Sequence, residues 1–594
     1  MKFYLNSAIP HPTRKKFWWR GIFVALSVIW VCAYLVGRAS YMNLSPWLAP
    51  FAILLFAAEL HNISHLFGMF YSMWPRKYQE WPEMNRSRHL QCNLFICVCG
   101  EPPEVLRKTI LAAREAARVY NDEIQPYSPA IVTVLNDGKV AKKDNWREIE
   151  AMCCELGVHH IARDVPGGFK AGNINNGLAQ TPTSDPFNSL MVIFDADFCA
   201  LPEFLLKITR PFADSEVDFV QSPQRYANEK SWVARAAAAH QIFFFEHICP
   251  AKGYDNALFL CGTNFAIRRS ALDAVGGMDT EFIIEDYTTS LNLHLTGHKG
   301  VFMPEVLAIG MAPSSLKQYF TQQRRWSQGS FDATRYYLRE MLFGPMTLKQ
   351  KMHYLLSATY YLIGLRDFIL MLAPLPYLFF GVSLIKPNSP WFMLGIYMPM
   401  IISNFVIYLR MFRAPLQSLV LDVVSFPVFT AAFFASLIGN RIPFVVTIKK
   451  YEKENPLRVY KAQTIVAVAL IVGLIYSMFH FGVQNLGSYI NYWWAFFDAF
   501  MLSLGFFLLV RENLNWGEWE ADAVKAKIKK QKYQSRPEPQ VFVASPEFVK
   551  RFEEARIRRS YIAGVFHDSV TQDAPNLQPN PALPRKRKQQ IVEG

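Results

Sequence analysis

Two kinds of hydrophobic pattern alternate along the 594 residues of this chain. Long apolar runs occupy 17–37, 46–73, 368–385, 391–409, 463–481 and 489–510, each near the ~20 residues that a helix needs to cross a bilayer. They predict six membrane-spanning helices. Between the second and third lies a polar stretch of roughly 290 residues, enough for a compact domain with its own core. There the pattern changes to short apolar runs at 94–98, 131–135, 190–194 and 217–220, which read as strands, and to helical spacing over 103–120 behind Pro102 and Pro103. Alternating strands and helices predict an α/β layer with a mostly parallel sheet, inserted in a polytopic helical membrane domain. In such sheets ligands bind beyond the carboxyl ends of the strands. Three of these ends carry polar groups: Gly100 with Glu101, Asn136 with Asp137, and Asp195 with Asp197.

Two further apolar stretches are read differently. The run 416–438 contains Asp422 and Pro427, and a crossing there would carry Lys449 and Lys450 to the far side. It is expected to lie in the membrane interface, with a spanning helix as the alternative. The run 353–365, closed by Arg366 and Asp367, is expected to lie in plane as well.

The charge balance fits this layout. Sixty-two Lys and Arg against 48 Asp and Glu give +14, and basic residues flank the spans: Arg14, Lys15, Lys16 and Arg20 before the first, Arg76 and Lys77 after the second, Lys525 to Lys532 after the last. This positive-inside pattern places the α/β domain in the cytosol of an inner-membrane protein and assigns the excess to topology rather than nucleic acid. Hydrophobic residues at 51% and charged residues at 19% exclude disorder, collagen and coiled coil for the whole chain. A mean hydropathy of only +0.08 requires the soluble insert. Nine cysteines without a C-x-x-C pair argue against a disulfide or zinc framework. The first apolar run lacks a small-residue cleavage site and is read as a span, not a signal peptide. The expected layout is a tail at 1–16, spans at 17–75, the α/β domain at 86–345, interfacial helices and spans at 346–440, a loop at 441–460, spans at 461–511 and a largely disordered tail at 512–594, with one short helix over 547–561 and a basic cluster at 585–588.

Four clusters carry candidate chemistry. Asp195-Ala-Asp197 follows directly on an apolar strand, so two carboxylates leave the sheet together and offer hard oxygen ligands to a divalent cation; an ordinary acidic loop is the other reading. Glu285-Asp286 supplies a candidate proton acceptor, or else a solvated helix N-terminus. Gln322-Gln-Arg-Arg325-Trp326 joins a donor fork suited to diphosphate with an indole face suited to a sugar ring; a basic, aromatic interfacial helix has the same composition. Lys170-Ala-Gly-Asn173 after Gly167-Gly168 lacks the full Walker spacing, which disfavours a P-loop NTPase.

In their order and spacing these pieces resemble the processive family 2 glycosyltransferases, most closely cellulose synthase catalytic subunits. That group carries a first Asp, a D-x-D, a T-E-D and a Q-x-x-R-W, read here as Asp137, Asp195-Ala-Asp197, Ile284-Glu285-Asp286 and Gln322 to Trp326. Phe444-Val-Val-Thr447-Ile-Lys449 resembles the F-x-V-T-x-K gating loop, and Phe259-Leu-Cys261-Gly262-Thr263 the F-F-C-G-S acceptor motif. The likeness covers about residues 20 to 510. It implies a GT-A-type domain that polymerises glucose from UDP-glucose, with inversion, into a β-glucan and passes the growing chain across the bilayer; an accessory periplasmic or membrane subunit is compatible with it.

The resemblance also implies roles. Asp137 would bind uridine and Lys170 the diphosphate. Asp195 and Asp197 would engage the nucleotide and Mg²⁺, or Mn²⁺ in its place, with Asp197 the direct ligand. Asp286 would be the general base beside Glu285. Gln322, Arg325 and Trp326 would sit at the channel mouth, Trp326 stacking on the acceptor sugar. Phe259, Cys261, Gly262 and Thr263 would line the acceptor site, and Phe444, Thr447 and Lys449 would close over the donor. Departures are Cys99 in place of the usual Tyr of S-Y-N-E-P, Ile284 for Thr and Leu260 for Phe. Nothing resembles a PilZ domain. A β-1,3 or mixed linkage stands beside β-1,4, UDP-N-acetylglucosamine beside UDP-glucose, and a lipid-carrier glycosyltransferase or a nucleotide-sensing transporter beside the polymerase.

Overall fold

The computed structural model describes residues 14–74, 76, 81, 90–124, 129–386, 390–411, 415–440, 453–484 and 486–533. The gating-loop residues Phe444, Thr447 and Lys449 and the tail from 534, with the expected helix at 547–561 and the basic cluster, lie outside them. Residues to Trp516 form one compact unit, and a second begins at Gly517.

Among the described residues ten strands build the α/β layer: β1 Gln91–Val98, β2 Ile131–Asn136, β3 His159–Ala162, β4 Ser189–Asp195, β5 Cys199–Ala200, β6 Val217–Gln221, β7 Gln224–Tyr226, β8 Phe265–Arg268, β9 Lys299–Phe302 and β10 Ala308–Gly310. Seven of them form one sheet in the order β3-β2-β1-β4-β8-β6-β9. Four neighbouring pairs are parallel, and β8 runs antiparallel to both of its neighbours. A smaller sheet, β5-β10-β7, lies beside it. The four strands read from apolar runs are β1, β2, β4 and β6. Register aligns their ends: Val98 pairs with Asn136, and Cys97 with Asp195. Asp137, Glu101 and Asp195 therefore emerge at the same edge of the sheet.

The helix Pro103–Ile124 covers one face of the sheet. Proline at its first position needs no N–H partner, and Leu106, Ile110, Ala113, Ala117, Tyr120 and Ile124 repeat every three or four residues and are all buried. Tyr120, wholly buried, donates its hydroxyl to the Leu90 carbonyl (2.9 Å). The helix Phe169–Gln180 covers the opposite face through Ala171, Ile174 and Leu178.

Among the described residues, seven helical segments are long and apolar enough to cross a membrane: Gly21–Tyr41, Ala49–Met73, Leu348–Phe380, Met393–Arg410, Pro415–Ile438, Lys461–His480 and Ser488–Asn515. The sequence pattern predicts six. The run 353–365, expected in plane, and most of the expected span 368–385 fall within one segment, Leu348–Phe380, because Arg366 and Asp367 do not end the helix. They bond to each other (Nε to Oδ1, 2.8 Å) and border an internal cavity, so the charges stay within protein. Pro415–Ile438, expected in the interface, consists of two helices that meet at Ser425. The first packs on Trp232–Phe243 of the α/β domain, the second on Leu316–Phe343. The last helix, Leu486–Tyr533, continues past the predicted end at 510.

Candidate functional site

A cavity of about 2430 Å³ opens at the carboxyl edge of the sheet and continues between the apolar helices as far as Trp494. Ligand pockets for small molecules commonly occupy roughly 300–1,000 Å³, so this space exceeds what one sugar nucleotide fills.

At its domain end the cavity is walled by Asp137, Lys170, Asp195, Asp197, Glu285 and Asp286. Asp195 ends β4 and takes an ion pair from the Lys170 ammonium, which also donates to the Gly262 carbonyl. Burial pulls the Lys170 pKa down, yet Asp195, with Cys97 and Glu285 behind it, together outweigh burial and hold the ammonium above its usual range. Asp197 accepts from the Met311 N–H (3.3 Å). Asp137 is clamped at both oxygens by Arg163, with Nε to Oδ1 at 2.6 Å and Nη2 to Oδ2 at 2.8 Å.

Glu285 and Asp286 open the helix Glu285–Leu295. The Tyr287 N–H donates to Asp286 Oδ1 (2.8 Å). Glu285 is only 7% exposed, so this N-terminus is part of the cavity wall and not a solvated end. Burial raises both carboxyl groups above the usual carboxylate range; the charge of Asp286 adds to the rise at Glu285, and that of Asp195 to the rise at Asp286.

Gln322, Arg325 and Trp326 reach the same cavity from the helix Leu316–Phe343. Positions three and four apart share one helical face. Ser315 caps that helix by accepting from the Gln318 N–H. Burial lowers the Arg325 pKa, while Glu285, Asp195, Asp286 and Glu101 raise it in that order: one guanidinium faces four acids.

The acceptor-like segment enters by close approach. Phe259, Cys261 and Gly262 border the cavity. The Phe259 ring meets Tyr287 edge-on at 5.2 Å, and burial keeps the Cys261 thiol protonated, well above its ordinary pKa. Gly262 has φ +81°, and a Cβ there would lie 3.1 Å from Asp286 Oδ2. Gly262→Ala is expected to cost about 1–2 kcal/mol for the left-handed backbone and to lower catalytic turnover by about tenfold or more through displacement of the carboxylate; thermal unfolding and turnover of the same preparation check the two parts. Thr263 corrects the sequence expectation. It is 1% exposed, lies behind the wall, and its hydroxyl accepts from the Asp195 N–H (3.0 Å). It braces β4 and does not face the cavity.

Residues 190–510, more than half of the chain, match the family described as "Glycosyl transferase family group 2", and 94–276 match "Glycosyl transferase family 2". The chain belongs to glycosyl transferase family group 2. It is 28% identical over 377 residues to a cellulose synthase catalytic subunit (UDP-forming) of Pseudomonas fluorescens, covering 62% of this chain and 48% of that protein. It is 27% identical over 374 residues to cellulose synthase 2 of Novacetimonas hansenii, covering 61% and 22%. A further catalytic subunit, from Xanthomonas axonopodis pv. citri, is 28% identical over 319 residues, with 52% and 41% covered. The chain thus spans less than half the length of these relatives. Among solved structures, a mannosyltransferase from Pyrobaculum calidifontis in complex with GDP-Man and Mn²⁺ covers 66% of this chain and 100% of its own at 16% identity and a TM-score of 0.46.

Three residues of this glycosyltransferase have roles that its motifs did not assign. Arg163, which clamps Asp137, follows the short strand β3, whose apolar signal is too weak to mark a strand end. Its guanidinium also donates to the carbonyls of Gly167 and Phe169. A Cβ at Gly172 would lie 2.5 Å from Arg163 Nη1, so Gly172 makes room for this guanidinium. Glu101 accepts from the Cys99 N–H (2.6 Å) and borders the cavity. Burial raises its pKa, and the charges of Asp195 and Asp197 add to the rise. Ile284, in place of Thr, packs on Gly329, where a Cβ would lie 2.8 Å from Ile284 Cγ2. The substitution belongs to helix packing.

Asp195 and Asp197 are two hard oxygen donors at one strand end, and among the described residues no group of three or more His, Cys, Asp or Glu side chains forms a closed metal cage. That donor set fits a cation that takes its remaining ligands from water and a bound diphosphate.

Proposed function

We propose that this protein is a membrane-embedded processive glycosyltransferase that transfers glucose, with inversion, from UDP-glucose to the end of a growing β-glucan and passes that polymer between its own helices. The cytosolic side of an inner membrane is the proposed location of the α/β domain. The observation that carries the reading is the single cavity running from the acidic cluster to the apolar helices.

In the proposed reaction the UDP-sugar lies along the carboxyl edge of the sheet. Asp137, fixed by Arg163, is at the nucleoside end, and Lys170 and Arg325 are the cations for the diphosphate. Asp195 and Asp197 would hold a divalent metal, Mg²⁺ or Mn²⁺, which neutralises diphosphate charge when bound. Asp286 takes the proton from the acceptor hydroxyl, whose oxygen attacks the anomeric carbon. The bond from that carbon to the diphosphate oxygen breaks, and UDP departs beside Arg325. A carboxylate whose pKa is raised by burial is a stronger base than an exposed one, which suits this task. Trp326 and Phe259 offer flat apolar faces for the terminal sugar.

Purified protein in detergent, given radiolabelled UDP-glucose and Mg²⁺, tests this. High-molecular-weight product is expected, and digestion by β-1,4- or β-1,3-glucanase assigns the linkage, for which β-1,4 is proposed. Label found only in a lipid extract would overturn the polymerase reading.

A further inference from the structure

The turn that leads into Lys170 holds its backbone where L-residues are rarely found. Gly167, Gly168 and Phe169 follow one another at φ +130°, +64° and +44°. Glycine reaches positive φ without a Cβ penalty. Phe169 does so with a bulky aromatic side chain, for which this region is an outlier. Strain of this kind persists only where the surroundings fix it, and it gathers at ligand clamps. Here the Arg163 guanidinium fixes it, donating to the Phe169 carbonyl (2.9 Å) and to that of Gly167. The same guanidinium clamps Asp137 at both oxygens. One arginine therefore ties the strained turn to the carboxylate at the nucleoside end of the site.

The strain does not serve the core. Ala171, Ile174 and Leu178 of the following helix pack into it, whereas Phe169 is 40% exposed and borders the cavity beside Asp137 and Lys170. The wall around it offers no other ring. The end of β1 contributes Cys99, Gly100 and Glu101, and the segment after β2 contributes Val140, Ala141 and Lys143. Among the described cavity-bordering residues from 97 to 173, Phe169 is the only aromatic one. A phenylalanine placed for stability alone would sit on a relaxed backbone and turn inward.

We propose that Phe169 is the stacking face for the nucleobase of the sugar nucleotide. A planar base has polar edges and a broad π face, and an aromatic ring is the side chain that matches that face. Since the end of β1 supplies only a thiol and a glycine beside Glu101, the flat surface comes from the strained turn instead. Arg163 holds ring-bearing backbone and Asp137 together, so the base and the rest of the nucleoside meet groups at a fixed spacing. The inference rests on the UDP-sugar reading and assigns to it a residue that determines affinity for the base.

The full chain in detergent is titrated with UDP and with ribose 5-diphosphate, which keeps the diphosphate and lacks the base. The unaltered protein is expected to prefer UDP. Phe169→Gly is expected to reduce that preference by about tenfold, within the range that stacking of one base supplies, with affinity for ribose 5-diphosphate unchanged. Glycine relieves the positive φ, which offsets the lost packing of the ring, so the unfolding midpoint should move little. A ring of purely structural value would give the reverse, a lowered midpoint with the UDP preference intact, and that result would overturn the assignment. Equal loss of both ligands in Phe169→Gly would overturn it as well. Phe169→Tyr retains the flat face and should keep the preference, whereas Phe169→Leu keeps apolar bulk on the same strained backbone and should lose it. Should the glycine variant fold poorly, this second pair decides, and an unchanged preference in Phe169→Leu counts against stacking. Absence of UDP binding by the unaltered protein would instead overturn the sugar-nucleotide reading itself.

Discussion

Replacing Asp286 by Asn is expected to lower polymer synthesis by about 10²–10⁴-fold, the range that general base catalysis supplies, and to leave UDP affinity close to its original value. The amide is nearly isosteric and still accepts from the Tyr287 N–H, which now bonds to Asp286 Oδ1 at 2.8 Å. What it lacks is the ability to take a proton. Incorporation of labelled sugar and calorimetric titration with UDP separate the two quantities, and normal synthesis by this variant would reject the assignment. The pH profile carries the same content. Burial raises the Asp286 carboxyl, and the neighbouring Glu285 is raised by burial and by the charge of Asp286, so the two titrate as a coupled pair. The base is the deprotonated form. Activity is therefore present above the raised pKa and lost as pH falls through it, at a higher pH than an exposed aspartate, near 3.9, would give. Measured kcat/KM across the acid range should show this limb.

Arg163→Ala is expected to be the most damaging change outside the acidic cluster. Its loss leaves the 6%-exposed Asp137 charge without its clamp, and breaking one side of a buried ion pair costs about 3–5 kcal/mol. It also frees the carbonyls of Gly167 and Phe169, so the turn leading into Lys170 loses its anchor. A lowered unfolding midpoint and weakened UDP binding should appear together. The double variant Asp137→Asn with Arg163→Met removes both charges. It should recover much of the stability without recovering UDP affinity; equal loss of stability in both proteins would show that the ion pair is not the cause.

How much of this was legible in the sequence depends on the range of the interaction concerned. The helix Pro103–Ile124 and strands β1, β2, β4 and β6 follow from local apolar spacing, which encodes burial directly. Asp137, Glu285, Arg325 and Trp326 were singled out through motif order, and all border the cavity. Thr263 was misread because a motif names residues without saying which side of the wall each one faces. The runs 353–365 and 368–385 were read apart, whereas the structure joins most of them in one helical segment, Leu348–Phe380. Charges were taken to end a span, whereas Arg366 and Asp367 neutralise each other beside an internal cavity.

By itself, the sequence determined the alternation of apolar helices with an α/β layer, and the placing of acids at strand ends, because 3.6- and 2-residue periods are properties of neighbouring positions. Only the tertiary structure decided that Arg163 clamps Asp137, that Gly262 abuts Asp286, that Ile284 packs on Gly329, and that Arg38 and Glu59 border the same cavity as the acidic cluster. Each of these joins residues on different elements, and such a contact depends on how strands cross over and helices pack, which no local period records.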